Sequence, residues 1–118
     1  MIMNKRELID YCLTYKNVYE DYPFDENWAV LRHIMNRKAF AFIYDRNEKT
    51  YVNLKLNPIE GSFYRDSFKG ITMGYHMNKL HWNSICLENE VPLVILKEMI
   101  NKSYDLTKPK FSKKKGKD

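Results

Sequence analysis

The 118-residue chain has little glycine or proline, four of each, and only two cysteines. Its glycines form no glycine-rich phosphate loop, and no nucleophile elbow is present. Cys12 and Cys86 lie far apart, fit no CxxC or metal-like spacing, and sit in apolar runs (Leu8, Ile9, Leu13; Ile85, Leu87). Both read as small core residues of a protein kept in a reducing compartment. No apolar run approaches the ~20 residues that a membrane span needs. Nor do Asn4, Lys5, Arg6 and Glu7, directly after Met3, resemble a signal peptide. A cytoplasmic protein without membrane contact is expected.

What the chain does hold is apolar and aromatic: 44% hydrophobic and 14% aromatic residues, the composition of a folded domain. The length fits one domain, residues 1–107, followed by a lysine-rich tail, 108–118, expected to be disordered. The formal net charge of +5 belongs to that tail, whose six lysines face a single acid, Asp118. The body is neutral, with 14 basic and 14 acidic residues. Its charges are uneven, however: residues 1–28 carry −3 and residues 29–57 carry +4. A polyanion would meet a basic tail and one basic segment, not a uniformly positive domain.

Local patterns give an α+β order. Asn4 caps a first helix, Glu7 completes a capping box, and Leu8, Ile9, Cys12 and Leu13 share one face. Asn17 is the expected stop. Val18 to Phe24 is short and aromatic, and Pro23 makes it an edge strand or an irregular extended segment. The acids Glu20, Asp21, Asp25 and Glu26 read as a solvated rim. Residues 28–56 read as three antiparallel strands: Trp28 to His33, Lys38 to Tyr44 with Phe40, Phe42 and Tyr44 on one face, and Thr50 to Leu56. In the last, Val52, Leu54 and Leu56 face the core while Tyr51, Asn53 and Lys55 share the other side. Arg32, Arg37, Lys38, Arg46, Lys49 and Lys55 all fall in this meander. Asn57-Pro58 opens a second helix, weakened by Gly61. A short Ile71–Met73 piece, a strand over 82–87, a turn at Glu88-Asn89-Glu90 and an apolar-faced last helix follow.

One stretch, Gly74 to Asn83, packs two His, two Asn, a Lys, a Tyr and a Trp into ten positions. Loops are normally filled with small turn residues, so large hydrogen-bonding side chains here suit an internal clamp or a recognition surface. Trp82 reads as core, because Ile85 and Leu87 continue an apolar run.

These residues carry a resemblance. Val52-Asn53-Leu54-Lys55, Pro58, Gly70-Ile71, Gly74 to Lys79, His81-Trp82-Asn83, Val91-Pro92 and Ser103-Tyr104-Asp105-Leu106, with the earlier Glu20 to Phe24, resemble the MmcQ/YjbR family of small bacterial proteins. The likeness runs from about Glu7 to Leu106 and departs at Met73, where the family usually has proline. It implies a two-layer α+β domain, an antiparallel sheet with helices on one face, similar to secretion-chaperone-like and CyaY-like folds. It also implies DNA binding through a double-wing motif in which projecting hairpins grip the duplex.

On that reading Arg32, Arg37, Lys38, Arg46, Lys49 and Lys55 contact phosphates of double-stranded DNA, and Asn53, His76, Asn78, Lys79 and His81 extend the polar surface. A protein-interaction or chaperone-like adaptor offering Phe40, Phe42 and Tyr44 to a protein partner, or a small-molecule-binding domain, are the alternatives. As an enzyme the chain would use His76 and His81 as acid–base groups, Lys79 to stabilise charge and Tyr75 as a donor. A five-residue spacing between the two histidines suits neither one helical face nor, without His33 or a distant carboxylate, a zinc site. The reading is a non-enzymatic binding protein with no metal and no cofactor, its oligomeric state left open with a monomer favoured.

Overall fold

The computed structural model describes residues 3–88 and 91–110. Asn89 and Glu90 of the expected turn, and the tail from Phe111 onward, lie outside the described residues. Helix α1 (Lys5–Leu13) starts as expected: the Asn4 side chain accepts from the Glu7 amide, and the Glu7 carboxylate accepts from the Asn4 amide. It ends earlier than Asn17. Thr14 closes it, and Asn17, at φ 57°, instead turns the chain into the edge strand β1 (Val18–Asp21).

Strands β2 (Ala29–His33), β3 (Ala39–Arg46) and β4 (Lys49–Lys55) form the expected antiparallel meander. The β3–β4 connection is tighter than the five residues, 45–49, left between the two expected strands. Pairing continues to Arg46 and Lys49, so Asn47 and Glu48 alone make the turn. Both have positive φ (53° and 63°), the conformation that matches the twist of the flanking strands. Helix α2 (Pro58–Ser67) is capped by Asn57 with Pro58 at its first turn. The chain then gives β5 (Ile71–Met73), β6 (Trp82–Cys86) and α3 (Leu93–Thr107). The six strands make one antiparallel sheet in the order β1-β2-β3-β4-β6-β5. Among the described residues no helix is long and apolar enough to cross a membrane.

All three helices cover the same side of this sheet. The core between the layers is built from Leu8, Ile9 and Cys12 of α1, Leu31, Ile43, Val52, Leu54 and Ile85 of the sheet, and Leu96, Met99 and Ile100 of α3. Burial pushes the Cys12 thiol up to about 12, so it is a packing residue. A β-bulge where β2 pairs with β3, between Leu31 and Arg32, breaks the alternation. It sends Phe40 into the helix side, against Tyr15, His33 and Tyr104, while Phe42 and Tyr44 stay on the other face. Ser103 of α3 fills the resulting gap in the ladder: its hydroxyl donates to the Phe40 carbonyl (2.6 Å) and accepts from the Lys55 amide (2.8 Å). Gly61 has a packing reason. A Cβ there would come within 2.9 Å of the Arg65 guanidinium, which bonds the buried Asn83 side chain at that spot.

Candidate functional site

The face of the sheet without helices is covered over part of its area by two loops, and their edges define a cleft. Strand alternation places Phe42, Tyr44 and Arg46 of β3, Tyr51, Asn53 and Lys55 of β4, and Trp82 and Ser84 of β6 on this face. Trp28, just before β2, lies flat on Tyr44, with ring centroids 4.0 Å apart and 8° between planes. Tyr51 and Tyr75 lie nearly parallel to Tyr44, and the Arg46 guanidinium sits over Tyr75 at 4.0 Å and Tyr51 at 4.9 Å. The result is one column of π-systems closed at one end by a cation.

The loop Gly74 to His81 folds back onto this column, and buried hydrogen bonds hold it there. The Asn53 amide donates to the Tyr75 carbonyl (3.0 Å), and its oxygen accepts from the Tyr44 hydroxyl (2.9 Å) and the Ser84 hydroxyl (2.5 Å). Ser84 in turn accepts from the Tyr75 amide (2.9 Å). The ring of bonds ties backbone to sheet. Within the loop, Lys79 Nζ donates to the Gly74 carbonyl (2.5 Å), and Asn78 Oδ1 accepts from the Leu80 and His81 amides. Gly74 lies so close to Trp82 that a Cβ would fall 2.7 Å from the Trp82 Cβ. The backbone contact, and not a special φ, is what requires glycine here.

The other wall is the turn Tyr22 to Trp28. Asp25 Oδ1 accepts from the Asn27 and Trp28 amides. Asn27 is clamped to Asp45 by two bonds, one in each direction, and Lys5 Nζ donates to the Asn27 carbonyl. Between the two fixed walls lies a cleft of about 430 Å³ lined by Phe24, Asp25, Trp28, Phe42, His76 and Met77. Its floor is aromatic, with Phe24 and Phe42 standing edge-on to Trp28 and Trp82 edge-on to Phe42. His76, at φ 60°, holds an exposed imidazole on the rim.

The eleven residues expected from sequence to meet nucleic acid therefore divide. Asn53 is fully buried and cannot touch a ligand; it is the loop's anchor. Arg32 donates to Asp21 Oδ2 (2.8 Å) and to the Arg37 carbonyl, which commits its guanidinium to the sheet edge. Arg46 is stacked, with its Nε buried and without a hydrogen-bond partner among the described residues. Lys79 and Asn78 are occupied inside their own loop. Arg37, Lys38, Lys49, Lys55, His76 and the half-buried His81 are left with outward reach, and no carboxylate pairs with these lysines or Arg37 among the described residues.

Nor do the basic hairpins converge. Arg37 and Lys38 lie at one end of β3 and Lys49 at the other, with Lys55 at the Arg37 end. At ~3.3 Å per residue the ends of this eight-residue strand are about 23 Å apart. The proposed interaction row is broken as well, since the bulge buries Phe40 in the core and Trp28 and Tyr75 cover Tyr44. Trp82, expected in the core, is half-buried on the helix-free face, because Asn83, and not Trp82, shares the side of Ile85.

Sequence reasoning missed Phe24, Trp28, Asp25 and Met77. The aromatic density of Tyr22 to Trp28 was the available signal, but nothing local says that it meets a loop fifty residues later. Among the described residues no group of three or more His, Cys, Asp or Glu is placed to hold a metal.

Fold and face together describe a two-layer α+β domain whose helix-free side carries an aromatic cleft between two hydrogen-bonded loops. The YjbR family model matches residues 13–106, and the chain belongs to that family. Among its relatives is the "Uncharacterized protein YyaQ" of Bacillus subtilis (strain 168), 35% identical, with 75% of this chain and 84% of that protein covered. "Uncharacterized protein YjbR" of Escherichia coli (strain K12) is 22% identical over 86% of this chain and 85% of its own length. Two solved structures share the fold. A Pseudomonas syringae protein aligns with a TM-score of 0.80 at 27% identity, covering 90% of this chain and 100% of its own. A Deinococcus radiodurans protein with a DUF419 domain aligns at 0.82 and 28%, covering 95% and 84%.

Proposed function

We propose that the helix-free sheet face is a nucleic-acid-binding surface and that the protein is a non-enzymatic binding module. The observation that carries this reading is the distribution of uncommitted cations: Lys55 on an aromatic face with Arg37 in the turn at the same end, and Lys49 on that face at the other end. Aromatic rings between cations match a polymer with charged phosphates and flat bases. A duplex gripped by two converging basic wings fits less well, because Arg32, Arg46 and Asn53 are committed inside the fold. The neutral body makes binding weak and dependent on salt, with phosphate contacts contributing most of the affinity. A second reading, a small planar molecule in the cleft, is favoured by the cleft's volume and fixed walls.

The test is binding of labelled DNA across a salt series, by fluorescence anisotropy. The full chain is compared with Arg37→Ala, Lys55→Ala and a chain shortened to Lys110. Each charge removed from the surface should weaken binding and reduce the slope of log affinity against log salt by about one. If both point variants bind as the parent does and only the shortened chain loses affinity, the tail alone binds and the face does not.

A further inference from the structure

We infer that the cleft between Phe24 and Met77 receives an unpaired base, so that the nucleic acid bound on this face is single-stranded. The inference rests on the nucleic-acid reading and deepens it. Four features of the cleft carry it. Its lining is aromatic, with Phe24, Trp28 and Phe42 presenting rings to one space of about 430 Å³. Two polar side chains line it among the described residues: the Asp25 carboxylate, whose Oδ1 is taken by the Asn27 and Trp28 amides while Oδ2 can accept, and the exposed His76 imidazole, which can donate or accept at the edge of a heterocycle. Its walls are held by the Asn27–Asp45 and Asn53–Tyr75 bonds, so little order has to be gained on binding. Finally, Lys55 lies on the same face beside Trp82, its pairing partner across β4 and β6, and no carboxylate pairs with it among the described residues, so a phosphate attached to a seated base has a cation on the same face.

Shape decides between duplex and single strand. The bases of a duplex are stacked on one another and present only their edges, so a stacking cleft is of no use to them. An unpaired base offers both faces to aromatic side chains. Phe24 is the informative side chain: it is 67% exposed and stands against Trp28 with its ring edge-on, so it contributes to the cleft and little to the core.

The experiment uses the full chain and three 12-nucleotide probes: a mixed-sequence single strand, an abasic single strand of the same charge, and the first strand annealed to its complement, which carries twice the charge, so that electrostatics alone would favour the duplex. The single strand should bind more tightly than the other two. Phe24→Ala should weaken the single strand about tenfold, a stacking contact's worth, and leave the abasic strand unchanged. Lys55→Ala should weaken single and abasic strands alike. If the abasic strand or the duplex binds as tightly as the single strand, or Phe24→Ala binds the single strand like the parent, the cleft is not a base site, although the cationic face still binds nucleic acid. If Lys55→Ala and Arg37→Ala change no probe, the nucleic-acid reading itself falls, and the base site with it. Circular dichroism of Phe24→Ala, expected to match the parent, separates lost contact from lost structure.

Discussion

Replacing Asn53 by alanine removes three hydrogen bonds at once: from the Tyr44 hydroxyl, from the Ser84 hydroxyl and to the Tyr75 carbonyl. The site is fully buried, so the groups left behind cannot turn to bulk solvent. Part of the network survives, because Tyr44 and Ser84 still reach each other at 3.3 Å and Ser84 still accepts from the Tyr75 amide. At roughly 1 kcal/mol net for each lost bond, the cost is about 3 kcal/mol. With an unfolding entropy of about 2.1 cal/mol/K per residue, that lowers Tm by about 12 °C in a chain of this size. Urea unfolding followed by fluorescence of Trp28 and Trp82, both on this face, and in parallel by far-ultraviolet circular dichroism, measures it. His76→Asn is the control: the side chain is exposed, asparagine tolerates the left-handed backbone, and stability should change by less than ~0.5 kcal/mol. A loss under ~1 kcal/mol for Asn53→Ala, or equal losses for both variants, would refute the assignment of Asn53 as anchor of the 74–81 loop.

Two further outcomes follow from the same geometry. Gly74→Ala places a methyl within 2.7–2.9 Å of Trp82 Cβ and backbone, which cannot rotate away, so about 1–3 kcal/mol should be lost in urea unfolding; an unchanged midpoint would contradict the packing described. His33 is buried against Thr107 Oγ1 (2.8 Å), and burial, assisted by the Lys108 charge, lowers its pKa below the usual 6.5 while a backbone bond to Tyr104 opposes the shift. The unfolded chain therefore takes up a proton first as pH falls below about 6.5, so the stability associated with neutral His33 is complete above that pH and declines toward the folded-state value. Unfolding free energies between pH 7.5 and 5 should fall more steeply for the parent than for His33→Gln, and parallel curves would exclude the effect.

The local devices of this fold were readable residue by residue. Asn4 with Glu7, and Asn57 with Pro58, act within one turn of helix, so their chemistry depends on nothing distant. Val52, Leu54 and Leu56 alternate because a strand with one buried face must alternate. The clamp reading of the 74–83 stretch was also open from its composition, since amides and a lysine in a loop need partners. Its partner was not legible: Asn53 looks like any polar residue on the solvent side of a strand until a loop twenty residues later lies over it.

The sequence by itself determined the elements, the family likeness and the segment in which the positive charge of the body resides, because caps, alternation and composition are local or additive. Tertiary structure decided how the site is assembled. One bulge moved Phe40 to the core and kept Phe42 outside. Antiparallel pairing set the basic turns at opposite ends of β3, and Asp21 took Arg32 while Tyr75 and Tyr51 took Arg46. The cleft exists only where the turn carrying Phe24 and the loop carrying His76 meet across the sheet, and that meeting depends on strand order and register, which no window of the sequence contains.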